Sequence, residues 1–88
     1  MKTSFMKYAW ETIIGEKPPF VFLSERMEGK IGPWSRGQVF DTLRDYLAEI
    51  EATPDGFKKL NELLVRTAYK YTVLDVLANY ALREISLI

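Results

Sequence analysis

The C-terminal stretch from Pro54 to Ile88 constrains the fold most, because it has no proline after Pro54 and no glycine after Gly56. Helix formation therefore meets no backbone obstacle over most of its length. Apolar or small residues recur along the stretch at alternating spacings of three and four, which is the seven-residue repeat of helices that pack side by side. These residues are Phe57, Leu60, Leu64, Thr67, Tyr71, Leu74, Ala78, Ala81, Ile85 and Ile88. The pattern predicts a long C-terminal helix.

The length of this helix conflicts with the size of the chain. Thirty-five residues at about 1.5 Å each would span roughly 52 Å, whereas a globule of 88 residues is roughly 31 Å across. Either a second chain covers the overhang, or the helix bends back. Thr72 and Asp75 match the start signal of a new helix, but threonine also fits inside a helix at small cost. A continuous helix and a helix broken near Thr72 both remain open.

Shorter helices are expected before this stretch. Residues 4–14 carry two adjacent rows of apolar residues at spacings of four, and Gly15 is placed to end the resulting helix. Trp10 lies on its apolar face and is expected in the core. The run Phe20–Leu23 follows two prolines and fits either a buried strand or a short helix. Because no second strand-like run is present to pair with it, a short helix or an irregular packed segment is favoured.

Local capping signals mark the starts of two further helices. Ser35 and Gln38 have the spacing of a capping box, which predicts a helix that begins here and ends near Ala52. Thr53 as N-cap and Pro54 at the first helical position predict that the next helix starts at once. With almost no loop between them, these two helices are expected to be neighbours in an antiparallel hairpin or a sharply bent pair.

These elements together predict an all-α fold, namely a small bundle of three to four helices with a long, heptad-patterned C-terminal helix. Residues 1–88 are expected to form a single domain, because chains of this length have one core. Hydrophobic residues at 48% and aromatic residues at 14% are sufficient for a packed interior.

Composition argues against catalysis and against a cofactor. The chain has no histidine and no cysteine, so the commonest general base, the thiol nucleophile and most transition-metal ligands are missing. Asp41, Asp45 and Glu49 form a row at spacings of four, which we interpret as a solvated helix face rather than a cation site. The segment Ser24–Pro33, with its two glycines, lacks the spacing of a phosphate-binding loop and is expected to be a surface loop. No catalytic, cofactor or metal residue is assigned.

Charge balance leaves nucleic-acid binding as an alternative function. Twelve basic and twelve acidic residues cancel, so nothing global attracts the chain to a polyanion or a membrane, and a soluble, cytoplasmic protein is the default expectation. A local basic face is nevertheless expected on the helix after Thr53, where the cations fall near one side. This face consists of Lys58, Lys59, Arg66 and Lys70.

The preferred function is a non-enzymatic protein-interaction or assembly module, either self-associating as a homodimer or acting as an accessory subunit. The segment from Val73 to Ile88 is apolar on nearly its whole circumference, which is typical of a helix buried on several sides. So short a chain is expected to leave part of it uncovered for a partner. The expected interface residues are Leu74, Leu77, Tyr80, Ala81 and Ile85. The competing interpretation is a monomer in which this segment is the central helix.

Overall fold

The computed structural model describes residues 3–27 and 32–86, and these form five α-helices. They are α1 (Thr3–Ile13), α2 (Pro19–Arg26), α3 (Arg36–Glu51), α4 (Pro54–Thr67) and α5 (Lys70–Ile85). No strand occurs in the described part of the chain, so the all-α class is confirmed. The expected three to four helices become five. Parts of two predicted features lie outside the described residues, namely 28–31 of the expected loop and Ile88 of the heptad pattern.

The first two helices begin and end where local backbone chemistry dictates. Helix α1 ends before Gly15, which has a φ of +103° that glycine adopts without strain. Helix α2 starts at Pro19, directly after Pro18 in an extended conformation. The run Phe20–Leu23 is therefore helical, and the preference for a helix over a strand is confirmed. Helix α2 continues to Arg26, so the first part of the expected loop is helical instead.

The capping signals of α3 and α4 are also confirmed. The backbone N–H of Gln38 donates to the Ser35 hydroxyl at 3.1 Å, and the Ser35 backbone N–H donates to the Gln38 side chain at 2.8 Å. Helix α3 ends at Glu51, and Thr53 caps α4 by accepting a hydrogen bond from the Gly56 backbone N–H at 3.0 Å. The two helices are joined by two residues and pack against each other.

The C-terminal stretch is broken, but the predicted position near Thr72 is wrong. Helix α4 ends at Thr67, and Ala68 takes a φ of +71° that turns the chain into α5. Thr72 lies inside the first turn of α5, where its backbone N–H donates to the Tyr69 carbonyl at 3.1 Å. A continuous helix from Pro54 to Ile85 would be roughly 48 Å long, whereas the longest dimension of the molecule is 33 Å. The break allows both helices to share one core.

Helix α5 is the central element of this core and packs against each of the other four helices. Its buried residues are Val73, Leu74, Val76, Leu77, Ala78, Tyr80 and Ala81. Trp10 of α1 is 2% exposed, and its indole N–H donates to the Lys17 carbonyl at 2.8 Å. The rings of Phe22 and Tyr80 lie 5.6 and 5.7 Å from the Trp10 ring, so the prediction that Trp10 belongs to the core is confirmed. None of the helices in residues 3–27 and 32–86 has the length and apolar character needed to cross a bilayer.

Candidate protein-interaction surface

The residues predicted to bind a partner lie mainly in the interior of the fold. Leu77 and Ala81 are 0% exposed, Leu74 is 6% and Tyr80 is 7%, while Ile85 is half-buried against the same core. The expectation that one chain leaves this helix uncovered is therefore wrong. Its physical reason is the break at Ala68, which shortens the C-terminal helix to 16 residues that four neighbouring helices can surround.

Tyr80 lies in the core, with its hydroxyl beside Glu84. Burial raises the pKa of the Tyr80 hydroxyl, and the nearby negative charge of Glu84 raises this pKa further. The hydroxyl donates to the Glu84 carboxylate at 3.4 Å, one turn further along α5.

The exposed side of α5 lines two shallow hollows. Asp75, Asn79 and Arg83 follow one another at spacings of four and border a hollow of about 530 Å³ together with Arg36 of α3. An adjoining hollow of about 440 Å³ is more apolar and is lined by Phe20, Pro33, Trp34, Leu82 and Ile85 among others. Asn79 donates to the Asp75 backbone carbonyl at 2.8 Å. Both hollows are open to solvent, and the first has charged and polar side chains along its edge while the second is mainly apolar.

The acidic row of α3 is neutralised by nearby arginines. Arg44 lies 3.4 Å from Asp41 and 3.8 Å from Asp45, and Arg26 of α2 lies 2.6 Å from Glu49. In the part of the chain that the structure describes, no three acidic side chains are grouped to hold a metal ion. These carboxylates form a solvent-exposed face.

The four cations of the predicted nucleic-acid face do not share one helix side. The break at Ala68 places Lys70 on α5, where it pairs with Glu51 at 2.8 Å. Lys59 pairs with Asp55 at 3.2 Å, and the Arg66 guanidinium lies over the Tyr8 ring at 5.2 Å. The expectation of a continuous basic face on a single long helix is therefore wrong.

Exposed apolar side chains are concentrated between positions 57 and 71, within the stretch whose seven-residue repeat predicted a packed helix. Six large hydrophobic residues are exposed in residues 3–27 and 32–86, and four of the six lie between positions 57 and 71. These four are Phe57 at 50%, Val65 at 87%, Tyr69 at 71% and Tyr71 at 69%. Of these four, Phe57 and Val65 lie on the same helix, α4, and an exposed apolar patch is characteristic of a protein-binding surface.

Helix α4 presents the best-defined part of this surface. Phe57, Asn61 and Val65 are spaced by four and follow one side of the helix, while Lys58 and Glu62 lie beside them. All five side chains are exposed, and we call them the α4 outer face. Leu60 and Leu63 on the opposite side of the helix are buried at 1% and 0%, so the outer face points away from the core.

The sequence signal for this face was ambiguous. Phe57 belongs to the seven-residue pattern, yet it is half exposed, and Val65 lies outside the pattern altogether. A valine on the polar side of an otherwise amphipathic helix is the sequence feature that could have revealed this face.

Comparisons of the chain with protein-family models, with curated proteins and with solved structures found no match.

Proposed function

We propose that this chain is a non-enzymatic assembly module that self-associates through the α4 outer face. The observation that carries the proposal is the exposure of Val65 and Phe57, 87% and 50%, on one side of a helix whose other side is fully buried. Moving apolar surface out of water favours association by about 25 cal/mol per Å². A helix side that exposes both an aromatic ring and a branched aliphatic side chain therefore gains from a protein partner.

The rest of the fold supports this role by holding α4 rigid. Leu60 and Leu63 anchor the helix in the core, and Gly56 packs closely against the end of α3. A surface held in place before binding loses little conformational entropy on association. Tyr69 and Tyr71 at the turn into α5 lie close by in sequence and are well exposed, and tyrosine is enriched among residues that dominate binding energy.

Sedimentation over a concentration series tests the proposal. The monomer mass is 10.2 kDa, so a dimer has twice that mass, 20.4 kDa. We expect the wild type to shift toward the dimer mass as its concentration rises. Val65→Asp should remain monomeric, because an aspartate buried in the contact must be desolvated. Circular dichroism verifies that the variant keeps its helix content.

Val21→Asp is the matched control, since Val21 of α2 is an exposed valine at 41% outside the α4 outer face. It should dimerise like the wild type. A wild-type chain that stays at 10.2 kDa at every concentration contradicts self-association. A salt-dependent shift of labelled DNA or RNA, lost in the Lys59→Glu and Lys70→Glu double variant, would favour the nucleic-acid alternative instead.

A further inference from the structure

The charges on the α4 outer face have no ion-pair partner among the residues that the structure describes. Lys58 and Glu62 are exposed and four residues apart on α4, a spacing at which a lysine and a glutamate can pair. The structure nevertheless places no ion pair between them, and neither residue pairs with any other side chain in residues 3–27 and 32–86. The neighbouring Lys59, by contrast, pairs with Asp55 at 3.2 Å.

We infer that the α4 outer face binds the same face of a second copy of this chain, with the two α4 helices antiparallel about a two-fold axis at Asn61. The inference rests on the proposed function and names its partner and geometry. A two-fold interface is self-complementary. If residue i of one copy contacts residue j of the second copy, then residue j of the first copy contacts residue i of the second. The α4 outer face has that property in its apolar residues and in its charges.

The apolar residues fit because they lie symmetrically about Asn61. Phe57 precedes Asn61 by four residues and Val65 follows it by four. In an antiparallel pair centred on Asn61, Phe57 of each copy therefore packs against Val65 of the partner subunit. Both ends of the contact then combine a large ring with a smaller branched side chain, and the polar Asn61 side chains meet at the centre.

The charges of the two copies meet in the antiparallel arrangement, and there they have opposite signs. Lys58 and Glu62 lie on the same flank of the row formed by Phe57, Asn61 and Val65. Antiparallel helices related by a two-fold axis bring identical flanks of this row together. Lys58 of each copy then lies beside Glu62 of the partner subunit, offset along the axis by roughly 3 Å, which long side chains span. In a parallel pair in register, the flank that carries Lys58 and Glu62 faces the opposite flank of the partner subunit, so these charges do not meet.

Charge reversal with cross-complementation tests this geometry. Lys58→Glu and Glu62→Lys each replace two attractive contacts by two repulsive ones, so each variant alone should self-associate about tenfold more weakly than the wild type. An equimolar mixture of the two variants restores opposite charges at both contacts. We expect heterodimers in that mixture by native mass spectrometry, and restored homodimers in the Lys58→Glu/Glu62→Lys double variant. Lys7→Glu, on the exposed side of α1, is the control and should dimerise like the wild type.

A single cysteine at the two-fold axis provides a second test, because the natural chain has no cysteine. Asn61→Cys should form a disulfide-linked dimer under mild oxidation, since cysteines bridge when their Cα atoms lie about 4.4–6.8 Å apart. Val21→Cys, exposed on α2, should remain unlinked.

The outcomes separate the two proposals. Suppose that Val65→Asp abolishes association, but the two charge variants do not complement each other and Asn61→Cys forms no disulfide link. The antiparallel arrangement is then overturned, and the proposed function stands. Absence of association in the wild type overturns both.

Discussion

Gly56 lies so close to the end of α3 that a β-carbon at this position would be 2.2 Å from the carbonyl oxygen of Ile50. The same β-carbon would be 2.7 Å from the Ile50 β-carbon and 2.7 Å from the Thr53 hydroxyl oxygen. Backbone atoms cannot move aside as the end of a flexible side chain can. The close packing of α3 and α4 at their two-residue connection therefore requires glycine.

We expect Gly56→Ala to lower the free energy of unfolding by about 2–3 kcal/mol, as overpacking of a tight site does. Gly37→Ala is the matched control within a helix, because its added β-carbon would meet nothing nearer than the Ser35 hydroxyl oxygen at 3.9 Å. It should raise the stability by up to about 0.5–1 kcal/mol. Urea denaturation of both variants measures the difference. Equal stability of the two alanine variants would contradict the close approach.

Ala68→Gly should stabilise the protein. Ala68 has a φ of +71°, a backbone conformation that costs an L-residue about 1–3 kcal/mol and that glycine adopts freely. After the extra entropy of glycine in the unfolded chain is subtracted, we expect a net gain of about 0.5–1 kcal/mol in the free energy of unfolding.

Ala48→Gly is the control for this substitution, because Ala48 is exposed within α3. It should lose about 1 kcal/mol, the usual cost of glycine in a helix. Opposite signs for the two alanine-to-glycine changes in thermal or urea denaturation would locate the bend at Ala68. Destabilisation by both changes, to the same extent, would contradict the strained conformation.

Ser35→Ala should destabilise the start of α3 by about 1 kcal/mol, because the Gln38 backbone N–H loses the hydroxyl that accepts its hydrogen bond. Thr42→Ala removes a hydroxyl from the same helix, but that hydroxyl donates to the Gln38 carbonyl, an acceptor inside the helix. Its loss should change stability by less than about 0.5 kcal/mol. The amide exchange rates of the first turn of α3 should rise only in Ser35→Ala.

The elements that were predictable from the sequence are those fixed by neighbouring residues. The Ser35–Gln38 capping box, the Thr53–Pro54 start and the Gly15 helix end each depend on groups within one turn of the chain. Their chemistry is complete at that scale. The helix boundaries they predicted agree with the structure to within one or two residues.

The break at Ala68 could not be predicted in the same way, because no glycine, proline or side-chain cap marks it. Its cause is tertiary. A straight helix from Pro54 to Ile85 would be roughly 48 Å long, whereas the longest dimension of the molecule is 33 Å. The burial of Leu77 and Ala81 follows from this bend. Helix α5 therefore leaves less apolar area exposed for a partner than its sequence pattern predicts.

The candidate site depends on the same tertiary information. Phe57 and Val65 are apolar whether they are buried or exposed, and only the direction in which α4 faces the core decides between the two. Leu60 and Leu63 face inward, and that orientation leaves Val65 directed toward solvent.

The stability of the protein should fall in strongly alkaline solution partly because of Tyr80. Burial first, and then the negative charge of Glu84, raise the pKa of the Tyr80 hydroxyl above its usual value of 10.0. A raised pKa in the folded state means that folding favours the protonated phenol. The corresponding stability is fully present below pH 10.0 and is lost as the pH rises through the pKa of the folded state.

We expect Tyr80→Phe to lack this part of the decline, so that the difference in free energy of unfolding between wild type and variant narrows or reverses above pH 10.0. Glu84→Gln should retain part of the decline, because burial remains when the negative charge is removed. Urea denaturation at a series of alkaline pH values measures all three proteins, and difference absorbance of tyrosinate follows the ionisation itself. Parallel declines in the wild type and Tyr80→Phe would contradict the raised pKa of Tyr80.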